Sequence, residues 1–582
     1  MHLRRLFQFR ESFTPALTTI VLVLSLSITG CESGKALFQG GQVDWNRYYS
    51  NAETNAIMQH YARKYPYLTR LFSIGKSYLG VDLMVMEVTS FGKRSSAEKP
   101  GFYVDGNIHS GELTGSAVTL YLMGYLLDRY GEDPEITHLL DTRVFYLRPK
   151  FNPDGADLAL LKDVSLRSTV HPVDSDDDGR VDEDPAEDLN GDGFITRMRI
   201  PDPEGNMMVS GDDPRLMVRR GREVTEGSFF RVVSEGIDND HDGRLNEDDV
   251  GGIDMNRNFP RNWEPEYLQP GAGAFPLSEP ETYATVKFIN EHPNITGIVH
   301  NHTSGGFVYR LPSATDPARF DPADIELIVT LGERYTETTG RGVEPSSTHP
   351  VNHRYGTLIS WAYWDRGIIG WVPEYWPGIT ADYNGDGRTD EVERLRFNDE
   401  ELGSRYFVDW EPYEHPEYGS IEIGGWRQKF ISQNPPAELL EEECALQMPW
   451  ILWLAGQSPL LEMTEPTVTQ LGDNRFSIEV TVTNTGYLPT NLTERGIEAG
   501  VVNQVIATII LADVLYPEGC ELVEGGHRIS LGHLSGSWSV TAEDHSNSAS
   551  AAWVVRKNDS YAQIRITASS DTGGSVSSEI TP

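Results

Sequence analysis

The chain has 582 residues, enough for up to about four domains at roughly 150 residues each, and its 38% hydrophobic and 10% aromatic content excludes a mini-protein or a disordered tail. Its 87 acidic against 48 basic side chains leave a net charge of −39, a field that repels phosphate backbones and excludes non-specific nucleic-acid binding. Cys31, Cys444 and Cys520 are too few for a disulfide framework or a thiolate zinc site, so any metal here must use histidine and carboxylate.

Residues 1–31 read as a bacterial export signal: Arg4, Arg5 and Arg10, an apolar run from Ala16 to Ile28, then Thr29-Gly30-Cys31. The run is shorter than a spanning helix needs, and the small residues before Cys31 resemble a lipobox. The expectation is an exported lipoprotein, periplasmic or on the cell surface, held to the membrane by a lipid on Cys31. No other apolar stretch reaches spanning length.

Residues 42–456 alternate short apolar runs with helical patterns, as an α/β domain with a mixed sheet does. A strand is predicted over Gly101–Asp105 and a helix over Glu112–Tyr130. Between them, His109-Ser110-Gly111-Glu112 offers an imidazole and a carboxylate from a loop at a strand end, both acceptable zinc ligands. A third ligand must come from elsewhere. The strand predicted over Ile295–Val299 runs out into His300-Asn301-His302, which supplies two candidates. A further strand is predicted over Thr357–Trp361.

Four acidic stretches place oxygen-bearing side chains at alternate positions before a glycine, the spacing of calcium loops. They contain Asp174, Asp176 and Asp178; Asp188, Asn190 and Asp192; Asp238, Asp240 and Asp242; and Asp382, Asn384 and Asp386. The third loop adds Asn246 and Asp249 at positions 9 and 12, and the fourth adds Asp390 and Glu393. Pro185 and Arg199 occupy position 12 of the first two, which must draw ligands from elsewhere or are solvated turns. One or more structural calcium ions are expected. After a linker at Gln457-Ser458-Pro459, residues 462–582 change character. Stretches such as Phe476–Val482, Val505–Ile510 and Ala562–Thr567 predict an all-β sandwich without catalytic residues, a binding or spacer module.

Over roughly Val43 to Ala455 the chain resembles the zinc carboxypeptidases of the carboxypeptidase A family. The likeness rests on His109 and Glu112, Asn152-Pro153-Asp154-Gly155, Gly252 to Phe259, Ser278-Glu279-Pro280-Glu281-Thr282, and Gly367 to Glu374. It implies a mixed, mostly parallel sheet flanked by helices, with one catalytic zinc on His109, Glu112 and a histidine. Counting back from Tyr309 to Pro312 favours His302, and counting from Gly297 to Val299 favours His300; His302 has the closer context. Glu374 would be the general base towards a zinc-activated water. Asn256 and Arg257 would grip the substrate's terminal carboxylate, Arg257 through a planar fork. Arg197 and Arg199 are the candidates for the oxyanion, with Arg199 chosen. Tyr355 loosely matches a mobile tyrosine, and Ile359 falls near the specificity pocket, favouring apolar C-terminal residues. Ser278 and Glu281 read as a capping box.

The resulting expectation is a metallocarboxypeptidase acting on extracytoplasmic peptides with a free C-terminal carboxylate. The alternatives are a cell-wall peptide amidase or deacylase of the same superfamily, and an inactive calcium-binding surface lipoprotein. Oligomeric state is not readable.

Overall fold

The computed structural model describes residues 38–39, 42–92, 94–174, 179–312, 319–348, 354–511, 519–538, 546–558 and 563–582. Cys31, Asp176 and Asp178 therefore lie outside the described residues. The chain divides into Met1–Asp44 and Trp45–Pro582. The described part of the first unit is a short antiparallel pair, Phe38–Gln39 with Gln42–Val43.

The second unit is built on an eight-stranded sheet: β1 (Thr69–Lys76), β2 (Asp82–Val88), β3 (Gly101–Gly106), β4 (Val144–Arg148), β5 (Ile295–Asn301), β6 (Phe307–Arg310), β7 (Gly342–Pro345) and β8 (Ile369–Glu374), in the order β7-β6-β8-β5-β3-β4-β2-β1. The four central strands β8, β5, β3 and β4 run parallel. The pairs β6–β8, β2–β4 and β1–β2 are antiparallel. β3, β4 and β5 are buried at every position, which is why they carry short apolar runs such as Phe102–Val104 and Val144–Leu147 rather than an alternating pattern.

Helices α1 (Leu113–Arg129), α2 (Pro280–Glu291), α3 (Leu358–Arg366) and α4 (Leu440–Gly456) are among those flanking the sheet. The segment predicted as a strand over Thr357–Trp361 is instead the start of α3. Thr357 caps it by accepting from Ser360 N, and Gly367 ends it in the left-handed region at φ 68°. Its aromatic residues suit a strand as well as a buried helix, and the caps decide. The capping box expected at Ser278 and Glu281 also does not form. Asn258 Oδ1 accepts from Glu279 N at 3.2 Å, and Glu281 turns away to accept from Tyr78 N at 2.9 Å.

A six-stranded antiparallel sheet holds Arg197–Pro201 between Gly419–Trp426 and Phe230–Ser234. From Leu461 the described residues form two antiparallel sheets, of five and four strands, sharing a core that includes Ile478, Trp553, Ile509 and Ile566. This β region meets α3 directly: Thr493 Oγ1 donates to Gly367 O at 2.8 Å, and Asp324 accepts from Glu494 N at 2.8 Å and from Tyr363 Oη at 2.7 Å. Among the described residues no helix is long and apolar enough to cross a membrane.

Candidate metal centre and its surroundings

Three adjacent parallel strands deliver the central side chains. β5 pairs with β3 through Asn301↔Gly106 and with β8 through Val299↔Trp371, so the chain positions just past β3 and β5 lie level with the end of β8. Such a row of carboxyl ends is where open α/β sheets place their sites. His302 N donates to Pro373 O at 2.9 Å, which pins His302 beside Glu374.

The loop after β3 is shaped locally. Asn107 sits at φ 67°, a conformation asparagine tolerates, and its Nδ2 donates to His109 O at 2.8 Å and Ser110 O at 3.0 Å. The following helix then approaches without room for side chains: a Cβ on Gly106 would lie 2.2 Å from the Gly115 carbonyl, and one on Gly115 would lie 2.4 Å from Asn301 O. This close seating brings Glu112 to His302.

The ligand-bearing atoms of His109, Glu112 and His302 all lie within 4.8 Å of one another, and the three residues are buried. Glu112 Oε1 is 2.8 Å from His109 Nδ1 and Oε2 is 2.7 Å from His302 Nδ1. Burial drives the His302 imidazole off its proton, to about 3, even with Glu112 alongside. Burial works to raise Glu112, but His109 and His302 overcome it and hold the carboxyl well below its usual range. Two neutral-capable imidazoles and a carboxylate aimed at one point fit zinc with a coordination position left over. The far nitrogen of His109 is fixed by Asp254, Nε2 to Oδ1 at 3.1 Å, which orients the ring as outer partners of metal ligands do. His300 is engaged elsewhere, its Nδ1 2.6 Å from Asp105 Oδ1 inside β5.

Glu374 closes β8, half-buried. Burial first and Glu112 second push its carboxyl well above the ordinary range, while Arg167, Arg354 and a bond from the Thr303 backbone restrain the shift. Asn256 and Arg257 lie on a single 3-10 turn, Met255–Arg257, initiated by Asp254, whose Oδ1 accepts from Asn256 N at 2.8 Å. Asn256 Oδ1 accepts from Leu358 N at 3.1 Å, and its Nδ2 lies 3.4 Å from His302 Nε2. Arg257 Nη1 stands 4.0 Å from Asp254 Oδ2. A cleft of about 640 Å³ opens here, with Arg167, Asp254, Arg257 and Gln269 in its wall.

Arg199 does not join this group. It lies in the six-stranded sheet, where Nε donates to Glu422 Oε2 at 2.7 Å and the guanidinium covers Trp410 at 4.6 Å; Arg197 on the same strand donates to Ser234 Oγ at 3.3 Å. The cation at the centre is Arg167, which the sequence reading missed. It donates to Asp254 Oδ2 at 2.9 Å and to Glu112 Oε1 at 3.4 Å. Its loop lies against the metal-ligand loop through Ser110 N to Arg167 O and Gly111 N to Leu166 O. Tyr355 is tied by its backbone to Gln269, and Ile359 is buried with its side chain filling the space over Gly370.

The acidic loops share one layout. Asp238 Oδ2 accepts from Gly243 N at 2.9 Å, Asp382 Oδ2 from Gly387 N at 2.8 Å, and Asp188 Oδ2 from Gly193 N at 2.9 Å. Asp174 Oδ2 accepts likewise from Gly179 N at 2.9 Å. Each of three loops is also clamped by a carboxylate from outside its first six residues: Glu393 on Tyr383 N and Asn384 N, Glu235 on Leu189 N, and Asp184 on Asn239 N. Asp184 and Glu235 are fully buried and carry no loop spacing that would single them out. Asp390 and Glu393 additionally form the reciprocal cap of helix Glu391–Glu400. Asp238, Asp240 and Asp242 gather their oxygens within 4.8 Å, whereas Asn246 is turned to Ser234 O and Asp184, and Asp249 is drawn up by burial.

Comparison with known proteins gives a match to the zinc carboxypeptidase family over residues 54–199 and 203–380, and to a domain of unknown function over 460–581. Carboxypeptidase D of Anas platyrhynchos is 36% identical over 109 residues, 19% of this chain and 8% of that protein. Carboxypeptidase M of Mus musculus is 38% identical over 109 residues, 19% of this chain and 25% of that one. The chain thus spans a quarter or less of these relatives' length. Among solved structures, carboxypeptidase A from Helicoverpa armigera aligns with a TM-score of 0.43 and 14% identity, covering 71% of this chain and 75% of that one.

Proposed function

Because the chain belongs to the zinc carboxypeptidase family, we propose that it is a metallocarboxypeptidase releasing the C-terminal residue of peptides. The observation that carries this reading is the convergence of His109, Glu112 and His302 beside the end of β8, where Glu374 stands. Zinc bound there supplies Lewis acidity to the scissile carbonyl and lowers the pKa of water towards about 7.

The remaining work falls to side chains. Arg257, with Asn256 beside it, receives the terminal carboxylate through paired N–H donors, and this fixes cleavage one residue from the end. Glu374 accepts the proton of the attacking water at its carboxylate. It keeps that proton because burial disfavours the charged form, then passes it to the departing amine. Arg167, held in place by Asp254, offers N–H groups to the oxygen on which negative charge develops. His302, stripped of its proton by burial, keeps a lone pair for the metal.

The wider reading has three further parts. The substrate is an extracytoplasmic peptide, reached by a chain exported through residues 1–31 and anchored at Cys31. Residues 42–456 form the catalytic domain and 462–582 an accessory β-sandwich. Calcium rigidifies the acidic loops, a reading supported by their spacing and by the gathered oxygens of Asp238, Asp240 and Asp242. Calorimetric titration of the chelated protein with calcium tests the last part, and a flat titration removes it.

The central reading is tested by metal analysis of the purified chain paired with mass spectrometry of peptide digests. Zinc in the protein together with stepwise loss of C-terminal residues, abolished by chelation, is the expected result. A zinc-loaded chain that leaves peptides intact rejects it.

A further inference from the structure

A second arginine stands beside the terminal-carboxylate clamp. Arg354 is placed by the backbone that follows it: Tyr355 N donates to Gln269 Oε1 at 2.8 Å, and Phe259 N donates to Gly356 O at 2.9 Å. Gly356, at φ 66°, lies so near the clamp that a Cβ there would be 2.3 Å from the Arg257 carbonyl oxygen. This contact needs glycine twice over, for its φ and for its lack of a side chain.

From that anchor the Arg354 guanidinium reaches over Tyr309, with Cζ 5.5 Å from the ring centroid. Tyr309 belongs to β6, which pairs antiparallel with β8 through Phe307↔Glu374 and Tyr309↔Val372. Residues two apart share a sheet face, so Tyr309 and Glu374 are on the same side. Arg354 therefore lies between the clamp and the face carrying Glu374.

Its surroundings leave it undercompensated. The residue is half-buried, its Nε is buried without a hydrogen-bond partner, and the groups that offset its charge are the Tyr309 hydroxyl, bonded to it, and Glu374. Burial first and Arg257 second weaken its hold on its proton. The other cations here are matched differently: Arg167 is bonded to Asp254 and Glu112, and Arg257 faces Asp254. Asp249 lies further along the same cleft wall. A substrate's terminal carboxylate held by Arg257 would therefore leave Arg354 as the cation still to be paired.

We infer that Arg354 is a specificity-determining residue that receives the side-chain carboxylate of a C-terminal glutamate or aspartate. The inference rests on the carboxypeptidase reading above and gives it a substrate class. It replaces the apolar preference expected from Ile359. Ile359 is buried against Gly370, and one apolar wall contributes less to selectivity than a desolvated guanidinium that must be paired.

The test uses the zinc-loaded full chain and four peptides differing only in their last residue: Glu, Gln, Leu and Lys. The parent should favour Glu over Gln in kcat/KM by about tenfold or more, the scale of one charge-assisted bond. In Arg354→Ala that ratio should fall to near one, and Arg354→Glu should shift the preference towards Lys. Equilibrium binding of N-acetylglutamate and N-acetylglutamine to the metal-free chain supplies a readout without chemistry: the acid binds more tightly to the parent and equally with the amide to Arg354→Ala. A parent that does not separate Glu from Gln, or an Arg354→Ala protein that keeps the parental ratio, overturns the inference. Release from none of the four peptides overturns the carboxypeptidase reading instead, and the binding comparison still decides whether Arg354 selects a second carboxylate.

Discussion

Glu112 and His302 are 190 residues apart in the chain, and Oε2 of one lies 2.7 Å from Nδ1 of the other. The same carboxylate touches His109 through its second oxygen, so a single side chain links the two loops that leave the adjacent strands β3 and β5. His300, two positions away, makes its contact with Asp105 inside the sheet instead.

Alanine at the two histidines should therefore have separable effects. His302→Ala removes a donor from a three-residue set and should cut zinc content of the purified protein to a small fraction, leaving a chain that still unfolds cooperatively. His300→Ala should retain zinc. It should nevertheless lower stability by about 3 kcal/mol, because the fully buried Asp105 is left without its partner. Elemental analysis and thermal unfolding of both variants check this; full zinc in His302→Ala would break the assignment of the third ligand.

Glu374→Gln preserves shape and removes the proposed proton carrier. Zinc content should match the parent while kcat falls by about 10²–10⁴, the usual contribution of a positioned acid–base group. KM should change little, since on the proposed reading Arg257, not Glu374, receives the terminal carboxylate. A variant with near-parental kcat would show that another group moves the proton.

The two arginine candidates also separate cleanly. Arg167→Ala should lower kcat by about 10²–10³, the loss expected for one oxyanion donor. Arg199→Ala should leave turnover near parental and cost about 1 kcal/mol of stability through the lost Glu422 pair and Trp410 contact. Steady-state kinetics of the pair, with unfolding curves alongside, decides between them; the reverse ordering would return the role to Arg199.

The difference between these arginines shows where a sequence stops being legible. His109 and Glu112 could be picked out because they lie in the loop between an apolar strand and a helix, where the change of pattern is visible, and Glu374 through the likeness of Gly367 to Glu374 to the zinc carboxypeptidases. Arg167 has no such signal. It follows helix Pro153–Leu161 within a polar stretch, and it reaches the centre only because its loop lies on Ser110 and Gly111, a contact between segments that no local period reports. Arg199 was the candidate because the acidic-loop insertion interrupts the segment where the resembled family carries its arginine, but its strand belongs to another sheet. The start of α3 failed for a different reason: Trp361, Tyr363 and Trp364 satisfy strand and helix patterns alike, and only Thr357 and Gly367 mark it as a capped helix. Asp390 and Glu393 had two explanations at once, ligand positions in a loop and a helix cap, and spacing cannot choose between them.

A carboxylate outside the centre gives a prediction about pH. Glu281 is 1% exposed, its Oε1 accepts from Tyr78 N, and its Oε2 is buried without a partner. Burial pushes its pKa up to about 7, with Asp154 adding to the rise and backbone bonds opposing it, against 4.5 for the ordinary group. The folded state thus binds this proton more tightly than the unfolded chain does. The stability that goes with the protonated form is complete below about pH 4.5 and is lost as pH rises through about 7, roughly 3 kcal/mol in all. Glu281→Gln keeps an uncharged side chain of the same shape and should remove this dependence. The parent and the variant should unfold at similar temperatures at pH 5, and the variant should be the more stable at pH 8. Parallel melting curves across that range, with a constant gap between the two proteins, would mean that Glu281 titrates as an ordinary carboxylate.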